Sequence, residues 1–348
     1  MIEIDGAYGE GGGQLVRTAV ALAALTGRPL RLANVRAKRA KPGLAAQHLA
    51  AVRAVGALCE ASCEGLGPGA TAFTFVPRSR PRGGERRVDV GTAGSVTLVL
   101  QALLPVLLAA DGASRVTVSG GSDVRQAPPW DYFCGVLLPL LARMGVRTRA
   151  SIARRGYYPR GGGEVAIEVE PGIPSLLFSD ETEPRWKIAG DAHVANLPLA
   201  IAERMRDAAL AALGRDAEIQ TRALARPEAI GAGGAIVLRA TSNAGLLGAA
   251  RVAERGVRAE TLGEAAGAEL AADLAAGAML DTHAADQILL YAAMTRGKSS
   301  FTTRAVTSHA RTAMWLIPQF LPVSFAVEAE GALSRITIAS MVATGNAA

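Results

Sequence analysis

The segment Thr307-Ser308-His309-Ala310-Arg311-Thr312 sets a histidine between hydroxyl residues and an apolar run. A neutral imidazole is a competent nucleophile near neutral pH and can attack phosphorus to form a phosphoramidate. At a helix start, with Arg311 nearby, such a ring would meet an anionic substrate in a favourable field. The same spacing also suits a histidine that merely caps the helix. Of the other histidines, His193 lies among apolar neighbours and reads as structural, and His48 reads as a local packing or hydrogen-bonding residue. His283 opens His283-Ala284-Ala285-Asp286-Gln287. Neither a serine hydrolase elbow nor a His-Glu-x-x-His metal motif is present.

Other segments suggest where an anion would sit. Gly9-Glu10-Gly11-Gly12-Gly13-Gln14 precedes an apolar run of helical period. Glycines let backbone N–H groups approach phosphate, and a helix N-terminus adds a positive dipole. A tight turn would need the same glycines, but a carboxylate beside bound phosphates, here Glu10, commonly serves a divalent cation. Arg17 follows one helical turn after Gly13. Arg36-x-x-Arg39, Lys41 and Gln47-His48 concentrate positive charge at a strand exit, where guanidinium forks suit phosphate oxygens. In Arg154-Arg155-Gly156-Tyr157-Tyr158-Pro159-Arg160-Gly161-Gly162-Gly163, Tyr157 or Tyr158 could stack on a base while the arginines take phosphates.

The formal net charge is +6, and its distribution says more than its size. Residues 11–59 and 132–163 contain no acid, and both are rich in arginine. Two such runs beside glycine-rich segments favour a polyanionic partner with a phosphate backbone.

These residues need a scaffold to hold them. A chain of 348 residues fits two or three folded units. With 50% apolar but only 4% aromatic residues, its core must be built from Ala, Leu and Val. The apolar run 96–110 is broken by Gln101 and Pro105 and is too short to span a bilayer. Residues 1–13 carry Glu3, Asp5 and Glu10 and lack the pattern of a secretory leader. Cys59, Cys63 and Cys134 suit buried free thiols better than a zinc site. A soluble, cytoplasmic protein with no membrane association and no obligate protein partner is expected. Three stretches share one layout of small or polar residues, an apolar helical run and a β-rich run: 9–35, 91–119 and 307–327. Such recurrence suggests duplicated α+β units. A turn-rich stretch with Pro171, Pro174, Asp180, Glu181, Glu183 and Pro184 then leads into residues 183–276, which read as a separate insert.

Together these blocks resemble the RNA 3′-terminal phosphate cyclase family. The match rests on Gly9 to Thr18, on Arg36-Ala37-Lys38-Arg39 with Lys41-Pro42-Gly43-Leu44 and Gln47-His48-Leu49, and on Gly91-Thr92-Ala93-Gly94-Ser95 with Gln101. It continues through Arg155 to Gly163, Asp286-Gln287 and Thr307-Ser308-His309, covering nearly the whole chain. The resemblance implies an α+β fold of three repeated units, each two helices on a four-stranded sheet (residues 1–182 and 277–348), with a smaller α+β insert (183–276). It implies ATP-dependent conversion of an RNA 3′-phosphate to a 2′,3′-cyclic phosphate through adenylated His309 and an RNA-pp-A intermediate. Gln101, His283, Ala284, Ala285, Asp286 and Gln287 would contact ATP. Arg17, Arg36, Arg39, Gln47 and Arg125 would hold RNA, and Glu10 would sit by Mg²⁺ or Mn²⁺. Ala284 is smaller than the apolar residue expected at its position. The alternative is a non-catalytic cyclase-like protein of ribosome assembly, which would lack the nucleophile. An enolpyruvyl transferase of similar repeated architecture would need neither ATP nor a histidine adenylate.

Overall fold

The computed structural model describes residues 1–175 and 184–340. Asp180, Glu181 and Glu183, and the expected boundary at 182/183, lie outside the described residues.

The first sheet holds β1 (Ile2–Asp5), β2 (Leu30–Ala33), β3 (Ser62–Glu64) and β4 (Phe73–Val76) in the order β1-β2-β4-β3, with α1 (Gly13–Thr26) and α2 (Ala46–Leu58) in the connections. The second is built from β5 (Gly84–Asp89), β6 (Ser114–Gly120), β7 (Thr148–Arg154) and β8 (Gly163–Val169) in the order β5-β6-β8-β7. In both, the first pair is parallel and the remaining pairs are antiparallel. Helix α3 (Val96–Leu108) links β5 to β6, and α4 (Trp130–Tyr132) passes through a π-turn at Phe133–Leu137 into α5 (Leu138–Arg143). Period-2 burial in β6, with Val116 and Val118 inside and Arg115 outside, fixes which face of that sheet meets the helices. Ser95 caps α3 by accepting the Leu98 N–H at 3.2 Å. Every residue of α3 except Gln101 is buried.

A third four-stranded sheet, in the order β10-β9-β11-β12, contains β9 (Lys187–Ala195), β10 (Glu218–Leu224), β11 (Gly233–Thr241) and β12 (Leu246–Val252). Helices α6 (Ala200–Leu213) and α7 (Ala259–Ala276) cover it, and Ile188, Met205, Ile236, Leu238 and Leu270 belong to a core cluster of their own. Helix α6 begins at Ala200, and Pro198 and a left-handed Asn196 (φ 51°) occupy the approach.

The C-terminal part comprises α8 (Thr282–Met294), β13 (Gly297–Thr303), α9 (Ser308–Leu316), a 3-10 turn at Ile317–Gln319, β14 (Val323–Glu330) and β15 (Leu333–Ser340). Its sheet, β13-β15-β14, has three strands where four were expected. Asp281 already caps α8, so the chain before it leaves only a single parallel bridge, Leu246 to Leu280. One core cluster joins this part to the first two sheets, and α1 packs against α9. Among the described residues no helix is long and apolar enough to cross a membrane.

Candidate active site

Glu10, in the loop between β1 and α1, lies against the start of α9. Its carboxylate meets Arg39 Nη2 at 3.1 Å and His309 Nε2 at 3.3 Å, and it accepts a hydrogen bond from the Ser308 hydroxyl. The Ser308 hydroxyl, with help from His309 and Arg39, holds Glu10 below the usual carboxylate range. The loop can pack this closely because Gly9 has φ +59°, and a Cβ there would stand 2.5 Å from Thr312 Oγ1 on α9. Thr307 caps α9 by accepting the Ala310 N–H at 3.0 Å, which leaves His309 in the first turn at the positive end of the dipole. Burial pulls the His309 pKa down, and Glu10 only partly offsets this. Burial thus favours the neutral form of the ring.

Positive charge converges on the same place. Arg17, on the first turns of α1, is only 8% exposed, and burial pushes its pKa down to about 10. No hydrogen bond or ion pair engages its guanidinium among the described residues, so a buried cation waits for an anion. The N-terminus of α1 likewise has no side-chain cap. His48 Nδ1 accepts the Ala45 N–H at 3.1 Å, which fixes its proton on Nε2. Burial and the charges of Arg17 and Arg36 push its pKa down to about 3. That nitrogen closely approaches Gly13, where a Cβ would come within 2.0 Å of it. Arg36 sits in left-handed backbone, φ 54°, a strained conformation for a bulky residue, and its Nη1 donates to Gly43 O at 2.7 Å. Gln47 Oε1 accepts the Ser95 N–H at 3.0 Å, tying this edge to the Gly91–Ser95 loop.

Helix α8 forms another wall. Buried Asp281 accepts hydrogen bonds from His283 N, Ala284 N, Gly248 N and the Tyr132 hydroxyl, and burial raises its pKa to about 6. Asp286 receives the Thr307 hydroxyl at 2.6 Å, and burial raises its pKa to about 7. Gln287 Oε1 accepts from Gln101 Nε2 at 2.5 Å, joining α8 to the one unburied residue of α3. His283 is exposed, 3.8 Å from Glu269. Ala284 and Ala285 are buried in the core, so only their backbone could face a ligand.

A sequence model of the family described as RNA 3′-terminal phosphate cyclase matches residues 8–327. The chain belongs to the RNA 3′-terminal phosphate cyclase family. It is 51% identical over 339 residues to an RNA 3′-terminal phosphate cyclase of Nitrosospira multiformis, covering 97% of this chain and 96% of that one. A namesake from Pyrobaculum neutrophilum is 44% identical over 335 residues (95% and 96% covered), and one from Methylococcus capsulatus 45% over 331 (92% and 91%). A solved structure, the enolpyruvyl transferase NikO from Streptomyces tendae, matches with a TM-score of 0.38 at 14% identity over 97% of this chain and 48% of that one. That likeness is too low to bear on fold or chemistry.

As a member of the cyclase family, the chain is an enzyme. Not every residue expected at its site joins the cluster. Arg125 is exposed and pairs with Glu254 at 3.0 Å. Arg155 is buried between Asp123, at 3.1 Å, and Asp131, at 2.7 Å, which take up its guanidinium. His193 Nδ1 approaches Asp131 at 3.4 Å without hydrogen-bond alignment. Tyr157 is buried, whereas Tyr158 is exposed. Sequence reasoning missed Lys38, which donates to Gly9 O at 3.0 Å, and Tyr8, which stacks on Trp315 at 3.7 Å and braces the glycine loop against α9. Nothing in the spacing of Tyr8 and Trp315 announces a contact across the whole chain.

Proposed function

We propose that the enzyme converts an RNA 3′-phosphate into a 2′,3′-cyclic phosphate at the expense of ATP, with His309 as the nucleophile. The observation that carries this reading is His309 at a helix N-terminus, 3.3 Å from an ionised Glu10 and in the field of Arg17, which makes no hydrogen bond or ion pair among the described residues. A lone pair of neutral His309 attacks the α-phosphorus of ATP; a P–N bond forms, the bond to the β-phosphate bridging oxygen breaks, and pyrophosphate leaves. An oxygen of the RNA 3′-phosphate then attacks the same phosphorus, breaking the P–N bond and freeing the ring. Last, the neighbouring 2′-hydroxyl attacks the 3′-phosphorus and AMP departs, the hydroxyl proton leaving with it or with water. The last step is intramolecular, with effective molarities on the order of 10⁵ M or more.

In this reading Arg17, Arg36, Arg39 and Gln47 hold the RNA phosphate, and Gln101, His283, Asp286 and Gln287 line the ATP side. Arg125 could join the RNA only by leaving Glu254. Glu10 fits a hard divalent cation such as Mg²⁺ or Mn²⁺, being ionised, partly exposed and held by partners that can move away. Such an ion, shared with the triphosphate, would neutralise charge on the pyrophosphate. We read the first two sheets and the C-terminal sheet as three repeated units (residues 1–182 and 277–348) and residues 183–276 as an inserted domain. The strand order shared by the first two sheets and the insert's own core support this. The presence of His309 speaks against the non-catalytic alternative. Incubation with ATP, metal and a short 3′-phosphorylated RNA tests the reading: a phosphatase-resistant end is expected, and persistence of a phosphatase-sensitive end overturns it.

A further inference from the structure

One motif, the loop at residues 157–162, is left over once the reaction has been accounted for. Tyr158 is 77% exposed, yet its neighbours in the loop are tightly placed. The buried Tyr157 ring lies against Gly233, where a Cβ would be 2.2 Å away, and the Arg155 N–H donates to Glu228 O at 2.8 Å. On its other side, a Cβ on Gly161 would meet Ala93 Cα at 2.8 Å. The loop is thus wedged between the Gly91–Ser95 turn and the connection from β10 to β11. Beside it runs a groove of about 340 Å³, bordered by Tyr158, Arg160, Asn196, Arg226 and Ile230. Neither Arg160 nor Arg226 makes a hydrogen bond or ion pair among the described residues. The nearby acid, Glu228, is taken up by Arg222 at 3.6 Å.

An exposed tyrosine beside two unpartnered guanidinium groups has the chemistry that binds a single-stranded nucleotide: a flat face for a base and two forks for phosphate. The volume lies at the small end of ligand sites and suits one base, not a second folded partner. One turn links the groove to Gln47, a residue on the proposed RNA side. Gln47 touches Ser95 at 3.0 Å, and Gly161 of this loop packs on Ala93 of the same turn. We propose that this groove is a subsite for a nucleotide upstream of the RNA 3′ end, with a base stacked on Tyr158 and its phosphate held by Arg160 and Arg226. The inference rests on the reading of the substrate as RNA. It gives residues 183–276 a task, since the insert supplies half of the groove.

The test uses the full chain, a 3′-phosphorylated dinucleotide and a 3′-phosphorylated decanucleotide. Tyr158→Ala and the pair Arg160→Ala/Arg226→Ala should leave self-adenylation and dinucleotide cyclisation at the wild-type level. Both should raise the KM and the anisotropy-measured Kd of the decanucleotide about tenfold, the scale of one lost base stack, while Tyr158→Phe retains wild-type values. An unchanged decanucleotide Kd in both variants, or an equal loss with the dinucleotide, overturns the subsite. If wild-type chain fails to take label from ATP, the catalytic reading falls, while the anisotropy arm still decides the groove.

Discussion

Arg17→Met should make the protein more stable and, at the same time, inactive on RNA. Arg17 is 8% exposed and makes no hydrogen bond or ion pair among the described residues, and burial lowers its pKa to about 10. For a base, a folded-state pKa below the unfolded one means that folding disfavours the charged form. The penalty is therefore fully present at pH 7 and fades only as the pH rises through about 10 towards the ordinary arginine range. At about 1.4 kcal/mol per tenfold change in proton affinity, this lowering amounts to roughly 3–4 kcal/mol. Methionine keeps most of the side-chain volume without the charge, so a gain of about 1–3 kcal/mol is expected. The assay is thermal unfolding with and without inorganic phosphate. Phosphate should raise the wild-type Tm more than that of the variant, because the anion relieves the buried charge only where a charge exists. A variant that is less stable than wild type and still cyclises RNA would refute the reasoning.

Further predictions concern the neighbouring residues. Because burial lowers the His309 pKa below 6.5, kcat/KM for self-adenylation should be flat above pH 7 and fall in acid as the ring protonates; a midpoint above pH 6.5 would contradict this. Asp281→Ala strips the acceptor from the buried Tyr132 hydroxyl and Gly248 N–H and removes the cap of α8, costing about 3–6 kcal/mol in chemical denaturation; a loss under about 1 kcal/mol would show that other acceptors replace it. Arg39→Ala should spare self-adenylation and slow RNA cyclisation about tenfold or more, as expected for a lost charge-assisted hydrogen bond. Equal loss of both steps would place Arg39 on the ATP side.

Much of the fold was legible because the helices α1, α3 and α7 carry long apolar periods and begin or end at glycine or serine signals. The short C-terminal sheet was not, since nothing in the residues before Asp281 shows that its carboxylate starts α8 so early. Glu10, Arg39 and His309 could be named from residue type and the glycine loop, and the structure brings them together. Arg155 looked equivalent to Arg154 in the sequence; only the fold reveals that Asp123 and Asp131 close on it. His283 and Ala284 are consecutive in the sequence, yet α8 turns one to the surface and the other into the core.

The central claim is that His309 carries a nucleotide, and intact-mass analysis after incubation with ATP and Mg²⁺, without RNA, tests it most directly. The account predicts one added adenylyl group on the wild-type chain, mapped to the peptide containing His309, stable in base and lost in acid, and none on His309→Ala. Adenylation that persists in His309→Ala, or that maps to another residue, would contradict it.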